Sequence, residues 1–402
     1  MRREVCGSCN STNLHTVLDL GDSPLANVFP TSPDEVQQRY PLELLRCFRC
    51  SLVQLSEIVS DDILWSSGDY GFYTGSSWIA TQHQKQYANS IMKAYPRLCR
   101  QGVLEIACND GTMLQHFQVA GYPSLGIDPA HGPAMQAANK GLDVWVEGFG
   151  SAAALRMVVQ HGHRGIVIAN NVIAHVANLD DFIEGLAIVL APAGVAVVEF
   201  QYLADLITGN QIDHVYHEHR QFFSLSSLMY SLERHGLMPT AVSQTSPQGG
   251  SLRVVISRHP FWNLSHSVNH LLKTEEWLKD EHALAGLQGR ADRIRTKLRD
   301  MLHEQQQAKK RVAGYGASGK STTLLNFCNI GPDLVQYVVD STPMKHGRYT
   351  PGTGIPIIDP RSDSRAPDVY LSMIHNYQGE IMRQEPTFHG HWIVPIPLPV
   401  LL

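Results

Sequence analysis

The sequence predicts an α/β protein with two αβ domains, a small cysteine-containing region before them and a helical connector between them. From about residue 101 to 258, apolar runs of strand length alternate with helix-like patterns, which is typical of βαβ units and a parallel sheet. A glycine-rich loop at 314–321 then opens a second αβ unit. Two short cysteine pairs precede residue 75. These three observations define the fold class that we expect.

Apolar runs and helix-forming stretches define the individual elements. The run at 252–257 is expected to be a strand at the edge of the first sheet, and the spacing at 180–192 predicts a helix. Helix formers at 268–309, with apolar residues three and four apart, predict one or two connector helices. The other expected strands lie at 103–107, 124–128, 165–170, 194–200, 335–341 and 368–373.

The composition is that of a folded globular protein. With 402 residues, of which 43% are hydrophobic and 17% charged, the chain is long enough for two or three domains with buried cores. A net charge of -5 argues against a nucleic-acid partner, and no stretch approaches the roughly 20 apolar residues of a membrane span. Because the first residues lack a secretory signal, we expect a cytoplasmic protein. We also expect it to be a monomer or a homodimer.

Two CxxC pairs predict a metal site near the N-terminus. They consist of Cys6 with Cys9 and Cys47 with Cys50. Each pair can present two thiolates from a tight turn to one tetrahedral zinc ion, and four thiolates fill its coordination sphere. The zinc is therefore expected to be structural. Unpaired or redox-active thiols are the alternative.

The segment 102–114 has the pattern of a nucleotide-binding turn. It places Glu105 and Gly111 at the end of an apolar strand, and Asp128 ends the next strand, where a carboxylate can bind two ribose hydroxyls. The pattern is not GxGxxG, which disfavours NAD and suits S-adenosylmethionine, a cofactor without a pyrophosphate. Asn170 and Asn171 follow another strand and either face the cofactor or cap the next helix. A turn without a ligand is the alternative.

Titratable side chains cluster at 213–225. A carboxylate beside imidazoles and a phenol suits the abstraction of a proton next to a carbonyl group. A metal site is an alternative, but the spacing is not HExxH, because Gln221 stands where the second histidine would be needed. A solvated loop is the other alternative. The residues concerned are His214, Tyr216, His217, Glu218 and His219.

The glycine-rich loop GYGASGKS at 314–321 matches two patterns at once. As a P-loop it would place Lys320 on phosphates and Ser321 on magnesium, but an acidic residue in the usual magnesium-holding strand is hard to identify. As G-x-G-x-x-G it fits the order strand, turn, helix, strand and Asp340. The second pattern is favoured over ATP hydrolysis. A tight turn without a ligand remains open.

Taken in order, these motifs resemble those of the three-domain sugar C-methyltransferases, which act on nucleotide-linked deoxy-keto-sugars in antibiotic biosynthesis. The resemblance covers nearly the whole chain. The motifs that carry it are the CxxC pair, LDLGDSPLANVF (18–29), YPLELLRCFRCSLVQL (40–55), DYGFYTGSS (69–77), EIACNDGTML (105–114), GIDPA (126–130), NNVIAHV (170–176), YHEH (216–219), QGGSLRV (248–254), GYGASGKSTTLLNF (314–327), PGTGIPI (351–357) and IVPIPLP (393–399).

The resemblance implies three domains and a reaction. Residues 1–75 would bind zinc, and 76–260 would form a Rossmann-like methyltransferase domain that binds S-adenosylmethionine. Residues 261–402 would comprise the connector and a C-terminal Rossmann-like domain that binds the nucleotide-sugar. The implied activity is C-methylation of a thymidine diphosphate-linked 4-keto-deoxysugar through an enolate. The alternatives are O-, N- or C-methylation of a different natural-product scaffold, and a non-catalytic nucleotide-sugar-binding protein.

The resemblance also assigns residues, motif by motif. The catalytic group would be Tyr216, Glu218 and His219, with His219 as the base, and Tyr70 or Tyr73 would approach the sugar. The sequence departs from the family pattern at Cys108, at Phe72 and at Arg220, and the last two lie near the implied substrate pocket. Residues expected at the cofactor are Glu105, Asn109, Gly111, Asp128, Asn170 and Asn171, and those expected at the substrate are His217, Tyr315 and Lys320.

Overall fold

The computed structural model describes residues 2–65, 73–76, 78–258, 264–362 and 366–402. Its strands form three sheets, of four, seven and six strands. The expected α/β class is confirmed, with one sheet for each of the three expected parts. Within these ranges, no helix combines the length and the apolar character that crossing a membrane requires.

Strands and helices are numbered in chain order, and short 3-10 turns at 74–76, 212–214 and 375–377 lie between them. The strands are β1 (Leu14–Pro24), β2 (Arg39–Cys47), β3 (Val53–Leu55), β4 (Val103–Ile106), β5 (Ser124–Ile127), β6 (Val144–Trp145), β7 (Arg164–Asn170), β8 (Leu190–Gln201), β9 (Gln221–Phe222), β10 (Leu237–Thr245), β11 (Ser251–Arg258), β12 (Val312–Tyr315), β13 (Tyr337–Val339), β14 (Ile357–Ile358), β15 (Val369–Ser372), β16 (His391–Val394) and β17 (Val400–Leu401). The helices are α1 (Asp61–Trp65), α2 (Trp78–Ala94), α3 (Pro96–Cys99), α4 (Leu114–Val119), α5 (His131–Asn139), α6 (Ser151–His161), α7 (Leu179–Val189), α8 (Leu203–Thr208), α9 (Leu225–Glu233), α10 (His266–Thr274), α11 (Leu287–Gln307), α12 (Gly319–Cys328) and α13 (Gln378–Gln384).

The N-terminal sheet is antiparallel and has the order β1-β2-β3-β9. Its fourth strand comes from the central part of the chain, since Phe222 pairs with Val53 and Gln221 with Gln54. β9 begins two residues after His219, so this sheet is attached directly to the histidine-glutamate segment. The domain limit at residue 75 stays a prediction, and the sheet that it delimits includes a strand from beyond it.

The central sheet has the order β10-β11-β8-β7-β4-β5-β6. The strands from β8 to β6 run parallel, and β4, β5 and β7 consist of buried residues because helices cover both faces of the sheet. The strands expected at 103–107, 124–128, 165–170 and 194–200 are confirmed as β4, β5, β7 and β8. The strand order reverses between β4 and β7, which is where open αβ sheets bind their ligands.

The expectation of an edge strand at 252–257 was wrong. That segment is β11, which lies inside the sheet, paired antiparallel with β8 on one side and β10 on the other. β10 forms the edge, and its pattern is hidden in the sequence because Pro239 interrupts it and its second half is largely polar. A proline and polar residues are tolerated at a sheet edge, where one side of the strand faces solvent.

The C-terminal sheet has the order β14-β13-β12-β15-β16-β17, with only β17 antiparallel to its neighbour. The strands expected at 335–341 and 368–373 are confirmed as β13 and β15. After β12 the glycine-rich loop leads into α12, which begins with a capping box between Ser318 and Ser321. The Thr323 hydroxyl of α12 donates to the Val215 carbonyl oxygen at 2.8 Å, so α12 contacts the central part of the chain.

The expected connector consists of two helices, α10 and α11. On α11, Ile294, Leu298 and Leu302 are fully buried and lie four residues apart, so they form one apolar face. Arg46 of β2 is buried and donates to the carbonyl oxygen of Leu278 at 2.7 Å, which ties the connector to the N-terminal sheet. One apolar core extends from the N-terminal cysteines to the C-terminal sheet.

Candidate active site

Four cysteine sulfurs converge near the N-terminus. The Sγ atoms of Cys6, Cys9, Cys47 and Cys50 lie within 4.8 Å of one another. The distance is 3.5 Å between the sulfurs of Cys6 and Cys50, and also between those of Cys9 and Cys47. Around a tetrahedral zinc with Zn–S bonds of about 2.3 Å, the sulfurs lie about 3.8 Å apart. The arrangement therefore fits zinc, as the spacing predicted.

The zinc centre also contacts the central part of the chain. The Ser8 N–H donates to the Cys6 sulfur at 3.4 Å, which favours a thiolate at that position. The Ser8 hydroxyl lies 2.7 Å from that of Ser231 on α9, and the Arg234 side chain donates to the Ser8 carbonyl oxygen. Because the four cysteines fill a tetrahedral sphere, this zinc is structural.

The turn after β4 has the strained backbone of a ligand-binding loop. Ala107, Asn109 and Gly111 all have positive φ angles, of 55°, 52° and 73°. Such angles cost conformational energy at residues other than glycine and are concentrated at ligand sites. Gly111 favours glycine for two reasons, its positive φ and the Leu142 Cδ1 atom, which would lie 2.1 Å from a Cβ and would have to move.

Two buried carboxylates line this turn. Asp128 accepts the Asn109 N–H at 2.8 Å and the Ala130 N–H at 2.7 Å on different oxygens, so each oxygen retains a lone pair for a ribose hydroxyl. The Glu105 Oε2 atom is buried without a hydrogen-bond partner among the described residues. Burial, and next the charge of Asp128, raise the pKa of Glu105 well above its usual range. A ligand with hydroxyls and positive charge, such as S-adenosylmethionine, suits these carboxylates.

The segment 73–76 packs over the same turn. The Thr74 N–H donates to the Asn109 Oδ1 atom at 2.8 Å. The Tyr73 hydroxyl lies against Gly132, where a Cβ would be 2.8 Å from it. The structure thus places Tyr73 on the cofactor side of the site. Tyr70 lies outside the described residues, so its role stays a prediction.

The two asparagines after β7 differ in their contacts. The Asn170 Nδ2 atom donates to the Gln84 Oε1 atom at 3.3 Å, while its own Oδ1 is buried without a partner among the described residues. Asn171 has a φ of 54°, and its N–H donates to the Glu199 carbonyl oxygen at 2.7 Å. Neither caps the following helix, because α7 is capped by Asn178. Of these two asparagines, Asn170 is the one with a buried side-chain atom that has no partner among the described residues.

His219 lies in a buried chain of hydrogen bonds. Its Nδ1 atom is 2.7 Å from the His214 carbonyl oxygen, which can only accept, so Nδ1 carries the proton and Nε2 has the lone pair. The Tyr216 hydroxyl donates to that Nε2 atom at 2.8 Å. Burial, and next the charge of His175, lower the pKa of His219 well below its usual range. A neutral imidazole held in this way is a competent base.

Glu218, the residue before His219, is a buried carboxyl with one hydrogen-bonded oxygen. Its Oε1 atom accepts from the Asn27 side-chain amide at 2.9 Å. Its Oε2 atom is buried and has no hydrogen-bond partner among the described residues. Burial raises the pKa of this carboxyl, and the Asn27 hydrogen bond opposes that effect. Glu218 therefore has one oxygen available to a substrate.

His175 belongs to the site although the sequence did not single it out. Its ring centroid lies 5.0 Å from that of His219, and its Nδ1 atom donates to the Glu218 carbonyl oxygen at 2.7 Å. Burial lowers the pKa of His175 to about 4. The only sequence signal was its place in NNVIAHV, just after β7. The departure at Arg220 has a structural role nearby, since this fully buried side chain donates to the His175 carbonyl oxygen at 2.9 Å.

Of the three expected substrate residues, the structure brings Lys320 to this cluster. Lys320 is the second residue of α12 and donates to the Gln248 Oε1 atom at 2.8 Å. Burial lowers the pKa of Lys320, and the charge of Asp213 opposes that effect. The ammonium group therefore lies at a helix N-terminus beside the histidine-glutamate segment, where an anionic group would be favoured.

His217 and Tyr315 lie elsewhere. The His217 ring packs against Tyr40, and its Nε2 atom donates to the Pro41 carbonyl oxygen at 3.3 Å, so the ring faces the N-terminal sheet. The Tyr315 hydroxyl donates to Glu385 at 2.8 Å on the face of the C-terminal sheet that carries a separate aromatic cluster. Neither ring joins the cluster around His219, since His217 is held against the N-terminal sheet and Tyr315 against Glu385. Their assignment to the substrate stays a prediction.

Comparisons with known proteins agree with this architecture. Three family models match in succession: a zinc binding domain at 6–65, a methyltransferase domain at 79–242 and a C-methyltransferase C-terminal domain at 246–397. The chain is 30% identical to the C-methyltransferase NovU of Streptomyces niveus over 98% of its own length and 96% of that protein. The cofactor-binding and zinc-binding parts therefore both have counterparts among known families.

Solved structures resemble about half of the chain more distantly. Magnesium protoporphyrin IX methyltransferase from Synechocystis PCC 6803 with bound S-adenosylmethionine is 16% identical, with a TM-score of 0.35, over 45% of this chain and 82% of that one. An N1-methyltransferase of 1,6-didemethyltoxoflavin from Burkholderia thailandensis is 12% identical, with a TM-score of 0.39, over 52% of this chain and 95% of that one. Likeness at this level does not bear on the substrate.

Proposed function

The chain belongs to the zinc-containing C-methyltransferases that use S-adenosylmethionine, and we propose that it methylates a carbon atom of a nucleotide-linked 4-keto-deoxysugar through an enolate. The observation that carries this proposal is the pair formed by His219 and Tyr216. A buried, neutral imidazole whose Nε2 lone pair accepts a hydrogen bond from a phenol is suited to removing a proton next to a ketone. The nucleotide that we propose is thymidine diphosphate, and the setting is antibiotic biosynthesis.

In the proposed first step, the pair removes the proton from the carbon beside the keto group. The C–H bond breaks, and its electron pair forms the enolate. The proton moves to the Tyr216 oxygen while the hydroxyl proton of Tyr216 moves to His219 Nε2, along the existing 2.8 Å hydrogen bond. The base ends as an imidazolium that keeps its hydrogen bond to the His214 carbonyl oxygen.

Glu218 is proposed to contact the enolate oxygen. Its free Oε2 atom and the raised pKa of its carboxyl favour the protonated form, which can donate a hydrogen bond to a developing negative charge. The amide of Asn27 holds the other oxygen in place. Glu218 thus lowers the energy of the enolate without being a proton acceptor.

The remaining residues are proposed to bind the two reactants. Glu105, Asn109, Gly111, Asp128 and Asn170 would hold S-adenosylmethionine, which supplies an electrophilic methyl group when bound. Lys320, at the start of α12, is proposed to bind the diphosphate of the substrate. Holding both reactants between two αβ sheets converts an encounter in solution into a reaction at fixed geometry.

The test is hydrogen exchange and methyl transfer on a thymidine diphosphate-linked 4-keto-deoxysugar. The full-length protein is incubated in deuterated buffer with and without S-adenosylmethionine, and mass spectrometry measures deuterium and methyl uptake. We expect exchange without the cofactor and one added methyl on carbon with it. His219→Asn should lower both rates by about 100-fold or more while the Kd for S-adenosylmethionine changes less than about twofold.

Two control variants sharpen this test. If the phenol carries the proton, Tyr216→Phe should lose carbon exchange to the same extent as His219→Asn. Near-normal exchange in Tyr216→Phe would mean that His219 takes the proton directly. Methyl transfer to oxygen or nitrogen without carbon exchange would replace the proposal with methylation of another scaffold. Binding of keto-sugars without exchange or methyl transfer would indicate a non-catalytic binding protein.

A further inference from the structure

Two neighbouring residues of the C-terminal domain contact two neighbouring residues next to the catalytic segment. The His375 Nε2 atom lies 2.9 Å from the Asp213 Oδ2 atom. The Asn376 side-chain amide donates to the His214 Nε2 atom at 3.0 Å. The contacting partners are 162 residues apart in both cases, so the tertiary fold alone creates these contacts. They join the 3-10 turn at 375–377 to the 3-10 turn at 212–214.

The first contact holds a buried charge. The side chain of Asp213 is 1% exposed and that of His375 is 7% exposed. Burial raises the pKa of Asp213, but the charge and hydrogen bond of His375 oppose this and lower it to about 2. Asp213 is therefore a carboxylate, and its Oδ1 atom has no hydrogen-bond partner among the described residues. A buried carboxylate with so few partners depends strongly on the one donor that it has.

The second contact fixes the orientation of His214. Since the Asn376 amide donates to His214 Nε2, that nitrogen has the lone pair and the ring cannot rotate without losing the bond. Asp213 and His214 thus both belong to a turn that is held at two adjacent points. The carbonyl oxygen of the same His214 accepts the Nδ1 proton of His219 at 2.7 Å.

We infer that His375 and Asn376 are positioning residues for His219. By holding the turn at 212–214, they keep the His214 carbonyl oxygen where it fixes the Nδ1–H form of His219 and leaves Nε2 free to accept a proton. This inference rests on the proposed role of His219 as the base. It gives the C-terminal domain a part in proton abstraction in addition to any contact with the substrate.

A loosened turn should have two measurable effects. His219 can then adopt the other neutral form, in which Nε2 carries the proton and cannot accept one. Water can also reach the ring, and since burial is the main cause of its low pKa, that pKa should rise towards the ordinary value of about 6.5. The groups whose charges act on this ring are His175, His214 and Lys320, and the Tyr216 hydroxyl contacts it.

The experiment compares Asn376→Leu, His375→Leu and His375→Gln in the full-length protein. We expect the first two to lower kcat for carbon exchange by about 10- to 100-fold, with the KM and the Kd for S-adenosylmethionine within about twofold of wild type. The acid limb of their pH–rate profiles should shift to higher pH. His375→Gln retains a donor for Asp213 and should restore most of the rate.

Gln37→Ala is the matched control for lost contact with the C-terminal domain. The Gln37 Oε1 atom accepts the Gly352 N–H at 2.7 Å, and among the described residues no hydrogen bond joins either residue to the turn at 212–214. This variant should keep the wild-type rate and pH profile. An equal loss of kcat in Gln37→Ala and Asn376→Leu, with unchanged pH profiles, would overturn the inference, because general domain adhesion would then explain both.

A readout independent of turnover separates this inference from the proposed function. Histidine-selective 15N labelling distinguishes the two neutral forms of an imidazole, and His219→Asn identifies the signal of His219. We expect the Nδ1–H form in the wild type and a mixture of forms in Asn376→Leu. If no keto-sugar is exchanged by the wild type, the proposed function fails and these spectra alone decide the inference. A pure Nδ1–H signal in Asn376→Leu would overturn it.

Discussion

The two αβ sheets begin with the same arrangement of a turn and a carboxylate. After β4, Asp128 accepts the N–H of Asn109 on Oδ2 at 2.8 Å, and after β12, Asp340 accepts the N–H of Ala317 on Oδ2 at 2.8 Å. In both, the other oxygen accepts an N–H from two residues further along the chain, at 2.7 Å in the first sheet and 2.8 Å in the second. The backbone arrangement is therefore common to both sheets.

The two turns differ in where a lysine is placed. Lys140 donates to the Asp110 carbonyl oxygen at 2.6 Å, and Lys345 donates to the Ala317 carbonyl oxygen at 2.6 Å. The Lys345 ammonium also lies 3.3 Å from the strand-end carboxylate of Asp340. Lys140 instead lies 3.7 Å from Asp110, a residue of the turn itself. The strand-end carboxylate is thus paired within the chain in the second sheet.

The comparison shows how one arrangement serves two purposes. In the first sheet, Asp128 keeps its remaining lone pairs for a ligand, beside a Glu105 that is also short of partners. In the second, Lys345 pairs with Asp340, and the helix after the turn contacts the segment 213–225 through Thr323 and Val215. The same backbone arrangement therefore leaves the strand-end carboxylate open to a ligand in the first sheet and pairs it within the chain in the second.

Zinc removal is expected to have the largest effect. It should act on the segment 213–225, which contains YHEH and lies in the chain between the two turns. The cysteines hold the ends of β2 and β3, β3 pairs with β9, and the Leu55 N–H donates to the Arg220 carbonyl oxygen at 3.0 Å. Loss of zinc should therefore displace YHEH and lower turnover by about 100-fold or more. The checks are zinc content, turnover and calorimetric binding of S-adenosylmethionine, which should weaken much less. Cys99→Ala, at a cysteine outside the site, should leave all three unchanged.

The matched variants Asp128→Asn and Asp340→Asn test the comparison directly. Asp128→Asn removes a charged acceptor from the cofactor turn and should raise the Kd for S-adenosylmethionine by about 10- to 100-fold, which corresponds to about 1.5–3 kcal/mol. Asp340→Asn should change that Kd by less than about twofold and should instead lower the thermal midpoint. Calorimetric titration and thermal unfolding of both variants provide the check. Equal changes in Kd would show that the two turns do not differ in function.

Lysine replacements should have smaller effects, on stability. Lys345→Met removes the cation paired with Asp340 and should lower the free energy of unfolding by about 1 kcal/mol without changing the Kd for S-adenosylmethionine. Lys140→Met is the counterpart in the first turn and should weaken cofactor binding, because Lys140 holds the Asp110 carbonyl oxygen. Denaturant titration and calorimetry measure the two quantities. Tighter nucleotide binding by Lys345→Met would show that the lysine had been blocking a working site.

The smallest expected effect is that of pH on cofactor binding at the turn after β4. Burial raises the pKa of Asp128 and, more strongly, that of Glu105. A carboxyl group with a raised pKa loses its charge as pH falls through that pKa. Cofactor affinity should therefore fall severalfold on acidification. The fall should begin at a pH above about 4, where a free aspartate ordinarily titrates. Titrations from pH 8 to pH 5 measure this change. The Asp128→Asn variant should show a flatter pH dependence, and an identical slope would assign the effect to Glu105.

Local spacing predicted the parts of the site that lie within one turn or one strand end. The CxxC pairs predicted zinc, and the ends of β4 and β5 predicted that Glu105 and Asp128 would lie at one edge of the sheet. The YHEH motif placed Tyr216 and His219 three residues apart, which is close enough for their 2.8 Å hydrogen bond. In each case, a short stretch of backbone determines the distance between the groups.

Contacts between distant parts of the chain were beyond this reasoning. His175 reaches His219 from another strand end, and Pro239 hid the true edge strand of the central sheet. Tyr315 lies within the glycine motif, yet its ring packs with the separate aromatic cluster of the C-terminal sheet. Motif position does not determine which face a side chain occupies once a strand is paired and packed.

The sequence by itself therefore predicted the fold class and the zinc ligands from the periodicity and spacing of nearby residues, and the cofactor from spacing together with the family resemblance. The tertiary structure decided that β9 completes the N-terminal sheet, that Lys345 pairs with Asp340, and that His375 and Asn376 hold the turn beside His219. These contacts depend on how three sheets pack around one core, and packing brings together residues whose separation in sequence carries no information about their distance in space.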